Sequence, residues 1–259
     1  MIEKDVIVGI GEIGKPISQL ISNFYPIIQY DIRQKLEDQK KFDEYEKYST
    51  RFLHICIPFN KRFHTELTVL TRKYKPKGII IHSTISPNTT HRLQSKFSIP
   101  VIYSPIRGIH KRMLYDLKRY TKFYAIEANA PLVNWASSTY SNMMKKCGIR
   151  TKKMSNPLTL ELAKIICDTS YYGWLINYAQ LSKMIAIKNK VSYDEMWSFA
   201  DEIHKYLGNR PKMFPGFIGG HCVIPNLDLI KDDTLNLIKA INSDYAKILK
   251  KRQAQGKKY

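Results

Sequence analysis

The sequence predicts an α/β protein, a Rossmann-like doubly wound parallel sheet followed by an all-helical domain built on a long central helix. Three observations carry that expectation. Short β-branched runs alternate with helix-spaced apolar residues through residues 1–150. A Gly-x-Gly-x-x-Gly turn follows the first run directly. Residues 158–188 then hold no proline and one glycine, with apolar side chains around most of the helical circumference.

Val6-Ile7-Val8 reads as the first strand. Gly9-Ile10-Gly11-Glu12-Ile13-Gly14 follows, and Ile17, Leu20 and Ile21 then have helical spacing. Ile27 to Tyr30 reads as a second strand ending at Asp31. In this order the glycines have separate tasks: Gly9 makes the tight turn, Gly11 lets the backbone approach a pyrophosphate, and Gly14 lets helix and strand pack closely. The helix N-terminus offers free N–H groups to phosphate, and Asp31 can take the ribose hydroxyls of an adenosine. The segment therefore predicts dinucleotide binding by Gly9, Gly11, Glu12, Ile13, Gly14 and Asp31. Asp31 favours NAD, because it repels a 2′-phosphate, while Arg33 two residues on keeps NADP open.

Residues 35–50 carry charge of both signs and read as a solvated helix or loop. Phe52 to Ile57 is a buried strand stopped by Pro58, with Cys56 in the core. Thr65 to Tyr74 reads as a helix, and Gly78 to His82, Val101 to Ser104 and Phe123 to Ile126 as further strands. Pro58, Ser83 and Thr84 fall at carboxyl ends of parallel strands, where ligands bind, and are assigned to the cofactor. The polar turn 83–90 can equally serve as a helix cap at Asn88 or Thr89.

The texture changes after Thr151-Lys152-Lys153, which sets a domain of residues 1–150 and a helical one of 151–250. The long helix at 158–188 is expected to be covered on most sides, as a spine and as the seam of a homodimer. Tyr171, Tyr172, Trp174 and Tyr178 are read as packing rather than as a ligand platform. A second helix runs from Ser192 to Leu207, with Glu195 completing a capping box and Gly208 ending it, and a last one from Leu227 to Leu249. Between them residues 214–226 form a glycine- and proline-rich loop that presents Cys222. Residues 251–259 are expected to be a basic disordered tail.

The net charge is +20, concentrated in residues 51–125 with 15 basic and 2 acidic side chains. Such a field attracts polyanions or phosphorylated small molecules, or serves solubility. No nucleic-acid-binding motif accompanies it, so an anionic small molecule is the expected partner. The four cysteines follow neither a disulfide nor a metal-site spacing, so no metal is expected. No run approaches the ~20 apolar residues that span a bilayer, and the N-terminus lacks a secretory pattern, so the expected location is cytoplasmic.

Four stretches together resemble the nucleotide-sugar 6-dehydrogenases, in particular the UDP-glucose and UDP-N-acetylmannosamine enzymes. They are the glycine fingerprint, Ser83 to Thr90, Glu161-Leu162-Ala163-Lys164, and Pro215 to Cys222. The resemblance implies NAD-dependent oxidation of a sugar primary alcohol to a carboxylate, through a cysteine thiohemiacetal and a thioester. It implies Cys222 as nucleophile and Lys164 as the ammonium that lowers the thiol pKa and steadies an oxyanion. Read by itself, Lys164 could be an exposed helix lysine. The resemblance also implies Arg107, Gly219, Gly220 and His221 as substrate-binding residues.

The departures are specific. The family has asparagine where this chain has Asp168 and aspartate where it has Asn226, so one carboxylate and one amide remain, exchanged, and both are assigned to the catalytic set. Ile106 stands in a Pro-Glu-Arg segment whose carboxylate assists thioester hydrolysis. The chain ends at residue 259, without the third domain that helps hold the nucleotide in the family. Two alternatives follow: a two-electron hydroxyacid-type dehydrogenase that uses Lys164 without covalent catalysis, and a non-catalytic NAD-binding scaffold with a basic surface.

Overall fold

The computed structural model describes residues 2–33, 43–206, 215–219, 223–229 and 233–254. Two compact units divide the chain, Met1–Lys164 and Ile165–Tyr259. The first contains a seven-stranded sheet of order β2-β1-β3-β4-β5-β6-β7. Its strands are β1 (Glu3–Val8), β2 (Ile27–Tyr30), β3 (Ser49–Ile55), β4 (Gly78–Ile81), β5 (Val101–Tyr103), β6 (Lys122–Ile126) and β7 (Thr151–Lys153). Its helices are α1 (Gly14–Ser22), α2 (Phe63–Tyr74), α3 (Thr89–Gln94), α4 (Met113–Arg119), α5 (Val133–Lys146) and α6 (Pro157–Leu162).

The central strands are apolar on both faces because helices cover both faces. Val6, Ile7, Leu53, Ile55, Ile79 and Ile80 have no exposed surface. β1 lies between β2 and β3 and is parallel to both, so the chain reverses its direction of travel across the sheet at β1. In open α/β sheets such a reversal is the topological switch point at which ligands bind, here at the carboxyl ends of β1 and β3 beside the glycine turn.

The sheet departs from the expected parallel series at its far side. β6 pairs antiparallel to β5, with Tyr103 opposite Ala125. The connection explains it. α4 packs against α1, and the chain enters β6 at the same end of the sheet at which it left β5. β7 then adds to β6 in parallel. It is an edge strand with two lysines, Lys152 and Lys153, both exposed.

The second unit follows the long helical run. This run extends from Pro157 through α7 (Tyr171–Asn189), but residues Ala163–Ser170 are wound as a π-helix. Cys167-Asp168-Thr169-Ser170 are four residues of modest helix propensity, and Ser170 Oγ donates to the carbonyl of Ile165 at 2.8 Å. α7 packs against α8 (Tyr193–Tyr206) and α10 (Asp233–Ala254), with the short α9 (Val223–Leu227) beside α10. Ser192 caps α8 by accepting from the Glu195 amide at 3.3 Å. The stop at Gly208 lies outside the described residues. α10 extends to Ala254, so residues 251–254 are helical; residues 255–259 lie outside the described residues.

The expected coverage of the long helix is incomplete within one chain. Gly173, Asn177, Ala179, Gln180 and Ala186 are buried, but Tyr171, Tyr172, Trp174 and Tyr178 are exposed. Among the described residues these aromatics are not part of the buried core, and Tyr178 meets the Trp197 ring edge-on at 6.0 Å. No helix among the described residues is long and apolar enough to cross a membrane.

Candidate functional site

The glycine turn is shaped by contacts that exclude side chains. Gly9 has φ +86° and its amide donates to the Tyr30 carbonyl at 2.8 Å, while the Cys56 amide donates to Val8 at 2.8 Å. The turn is thus locked between the ends of β2 and β3. A Cβ on Gly14 would stand 1.7 Å from the Gly9 carbonyl oxygen, so only glycine can begin α1 here. At Gly11 the nearest atom to such a Cβ is Arg33 Nη2 at 3.9 Å, leaving the approach open. α1 starts without a side-chain cap and without an acidic residue in its first turn.

Asp31 is buried at the end of β2. Its Oδ2 accepts from the Ile10 amide at 2.7 Å and its Oδ1 from the Arg33 amide at 2.8 Å. The carboxylate thereby fixes the glycine turn, and its Oδ1 also lies 3.5 Å from Arg33 Nε. Glu12 is exposed and Ile13 half-buried. An open backbone approach, an uncapped helix N-terminus and an adjacent carboxylate fit a diphosphate-linked nucleoside.

At the neighbouring strand ends Pro58 is exposed, Thr84 half-buried, and Ser83 buried with its Oγ donating to the Ile57 carbonyl at 2.5 Å. The turn that follows is not capped by its own residues. Asn88 has φ 65° and no side-chain cap bond. Instead the buried Glu161 of α6 accepts from the Asn88 amide at 2.6 Å, the Thr90 amide at 2.9 Å and Thr90 Oγ1 at 2.6 Å. Burial pushes the Glu161 carboxyl up, and the hydrogen bonds from Thr90 and Asn88 oppose it. This clamp fixes the helical turn that leads into Lys164.

Beyond β5, Ile106 is buried in the apolar core. Arg107 is exposed, donates to the Thr121 carbonyl at 2.6 Å and lies 5.0 Å from the Phe123 ring centre. Lys122 opens β6 with its ammonium inside the protein, donating to the carbonyls of Ser104 at 2.8 Å and Pro105 at 3.3 Å. Burial lowers its pKa to about 7, and the positive charges of Arg107 and Lys164 add to the effect. A buried polar chain continues from there. His82 Nδ1 donates to the Ser104 carbonyl at 3.2 Å, and its Nε2 lies 3.0 Å from His54 Nδ1. Asp5 and Arg51, joined by two hydrogen bonds, complete the chain beyond His54.

In the second unit the residues flanking the cysteine loop are held by amides. Gln180 Nε2 donates to the Gly216 carbonyl at 2.7 Å and to Asn242 Oδ1 at 3.1 Å. Asn242 also bonds both backbone groups of Ile218, at 2.8 and 3.1 Å. Ile218 packs with Val223, Leu227, Leu235 and Ile238. Gly219 is exposed beside the Phe217 ring. Gly220, His221 and Cys222 lie outside the described residues. Asp168, in the π-helical turn, and Asn226, in α9, are each half-buried, as is Lys164.

No protein-family model and no curated protein matches the sequence. Solved structures do match. The UDP-D-ManNAc dehydrogenase of Pyrococcus horikoshii superposes with a TM-score of 0.73 at 18% identity, over 98% of this chain and 72% of that one. The UDP-N-acetyl-mannosamine dehydrogenase of Staphylococcus aureus gives 0.72 at 18%, over 98% and 70%. The fold is that of the nucleotide-sugar dehydrogenases. The 3-hydroxyisobutyrate dehydrogenase of Mycobacterium tuberculosis gives 0.61 at 14%, over 98% of this chain and 94% of that one.

Against this dehydrogenase fold, three features stand out that sequence reading does not assign. Glu161 lies inside the Glu161-Leu162-Ala163-Lys164 stretch but shows its role only through bonds to residues 71 and 73 positions away. Lys122 could have been noticed as a lysine opening an otherwise apolar strand. The Asn177, Gln180 and Asn242 cluster has no local signal, because its members come from two helices and serve a loop. Among the described residues no group of three or more His, Cys, Asp or Glu side chains is placed to hold a metal ion.

Proposed function

We propose that the chain is an NAD-dependent dehydrogenase that oxidises the primary alcohol of a nucleotide sugar, with Cys222 as nucleophile. The observation that carries this reading is the turn in which Gly14 presses on Gly9 and Asp31 braces Ile10. NAD, when bound, supplies the hydride acceptor. Gly9, Gly11 and Gly14 leave space for the dinucleotide, with Glu12, Ile13, Arg33, Pro58, Ser83 and Thr84 around it.

In this reading the alcohol loses a hydride and a proton to give an aldehyde. The Cys222 thiolate adds to the aldehyde carbon as the carbonyl oxygen takes a proton, forming a thiohemiacetal. Loss of a second hydride and the hydroxyl proton gives a thioester, and water releases the carboxylic acid and the thiol. Lys164 stabilises the oxyanion, Asp168 and Asn226 supply the carboxylate and amide of the site, and Arg107, Gly219, Gly220 and His221 hold the substrate. With Ile106 buried where a carboxylate would assist hydrolysis, Asp168 serves as the base for the water.

A two-electron hydroxyacid oxidation with Lys164 as acid/base is the second reading. The overlap with almost the whole of a 3-hydroxyisobutyrate dehydrogenase supports it. Stoichiometry separates the two. Four-electron oxidation yields two NADH per UDP-sugar consumed and is lost in Cys222→Ala; one NADH per hydroxyacid with Cys222→Ala fully active would establish the alternative. No NADH binding at millimolar concentration would exclude both, whereas NADH binding without turnover of either substrate would leave the non-catalytic NAD-binding scaffold.

We also infer a homodimer through the long helix. Tyr171, Trp174, Tyr178, Leu181 and Ile185 repeat at spacings of three and four and are all exposed, the pattern of a helix seam awaiting an identical partner. Light scattering at working concentration should give twice the chain mass, and a monomer would end this proposal.

A further inference from the structure

Glu12 is the one acidic residue of the turn 9–14. Its carboxylate belongs to the loop to which the dinucleotide reading brings a diphosphate, and like charges at such range repel. The structure gives that charge a specific partner. His110 Nδ1 stands 2.9 Å from Glu12 Oε2, across the interval between the glycine turn and the β5–β6 connection.

The segment that carries His110 is built, not incidental. It is a single 3₁₀ turn, His110–Arg112, held from behind by the buried Asp116. Asp116 Oδ2 accepts from the Ile109 amide at 2.9 Å and from Arg112 Nε at 3.2 Å. Gly108 has φ +147°, and a Cβ there would come within 2.8 Å of the Asp116 Cβ. α4, which follows at once, packs against α1. The turn is thereby fixed at the rim of the glycine loop with three consecutive basic residues, His110, Lys111 and Arg112.

We propose that His110 is a positioning residue for the cofactor diphosphate: its Nδ1 binds the Glu12 carboxylate and fixes where that carboxylate lies, so that the glycine turn accepts a dinucleotide. The 3₁₀ turn forms the cationic side of that site. This inference rests on the dinucleotide reading above and adds to it a residue outside the glycine fingerprint. It also gives an exposed acid in a phosphate-binding turn a physical reason to be tolerated.

The test is a double-mutant cycle on the full chain, reading binding of ADP-ribose and of adenosine by competition against NADH fluorescence. His110→Ala should weaken ADP-ribose by about tenfold and leave adenosine unchanged, since only the former carries the diphosphate. Glu12→Gln keeps an acceptor for His110 but no charge, and should bind ADP-ribose at least as tightly as the wild type. In the Glu12→Gln background, His110→Ala should cost less than about twofold. Equal losses for ADP-ribose and adenosine, no loss at all, or an undiminished loss in the Glu12→Gln background would overturn the proposal. If the wild type binds neither NADH nor ADP-ribose, the dinucleotide reading itself falls and takes this one with it; if it binds both and the cycle is additive, only the role of His110 falls.

Discussion

The Glu161 carboxylate stands 2.6 Å from the backbone nitrogen of Asn88 and does for α3 what no residue of α3 does for itself. Removing it leaves two backbone donors and the Thr90 hydroxyl without their acceptor inside the protein. Glu161→Ala is expected to cost about 3 kcal/mol in urea unfolding, and Glu161→Gln less, because the amide oxygen still accepts. Because the same residue sits one turn before Lys164, turnover should fall more than NADH affinity in both variants.

Gly14 offers a sharper outcome. A methyl group there would meet the Gly9 carbonyl oxygen at 1.7 Å, a contact that only backbone movement can relieve. Gly14→Ala should destabilise the first unit by roughly 3 kcal/mol or more, and whatever folds should bind NADH at least tenfold more weakly. Gly11→Ala meets nothing closer than 3.9 Å and should leave stability unchanged while still weakening NADH. Thermal melts and fluorescence titrations distinguish the two glycines.

Lys122 makes stability depend on alkaline pH. Its pKa is lowered to about 7 in the folded protein from an ordinary 10.5. Between those values the unfolded chain holds a proton that the folded chain lacks, so stability rises with pH at about 1.4 kcal/mol per unit at most. Below about 7 both states carry the proton and this contribution is flat. Lys122→Met should abolish the rise. Burial also holds His82 well below 6.5, with Lys122 and His54 adding to the effect. The unfolded chain therefore takes up a proton first as pH falls through 6.5, and stability declines on that side. Denaturation midpoints between pH 5 and 10 for wild type and Lys122→Met check both limbs.

Asn242 holds Ile218 by both backbone groups, so its loss should be felt in the loop before it is felt globally. Asn242→Ala is expected to cost about 2 kcal/mol, and hydrogen exchange of the Ile218 amide should accelerate well beyond that of α7. An unchanged Ile218 exchange rate would contradict the anchoring role.

Most of the sheet was legible because its strands are short apolar runs punctuated by glycine and proline. Val6 to Val8, Ile27 to Tyr30 and Gly78 to Ile81 need no tertiary information to be seen. β7 was not legible, since Thr151, Lys152 and Lys153 form a strand only by pairing with β6. The direction of β6 was equally hidden, because alternation along a strand is the same whichever way the chain runs. The π-helical turn escaped for a related reason, as apolar spacing over 158–188 suits an unbroken α-helix. Of the site, the glycine fingerprint was readable from local chemistry. The Glu161 clamp, the Lys122 ammonium and the amide cluster depend on partners distant in sequence, which no local pattern encodes.

The reversal of β6 has a chemical result. Five strands point their carbonyl ends toward the rim where the glycine turn lies, and a sixth running the same way would have added another carbonyl end. Running the other way, β6 instead delivers its first residue to that rim, and that residue is Lys122. Strand polarity thus decides which functional group the scaffold contributes, so inverting one strand can install a cation among carbonyl oxygens without any change to the neighbouring loops.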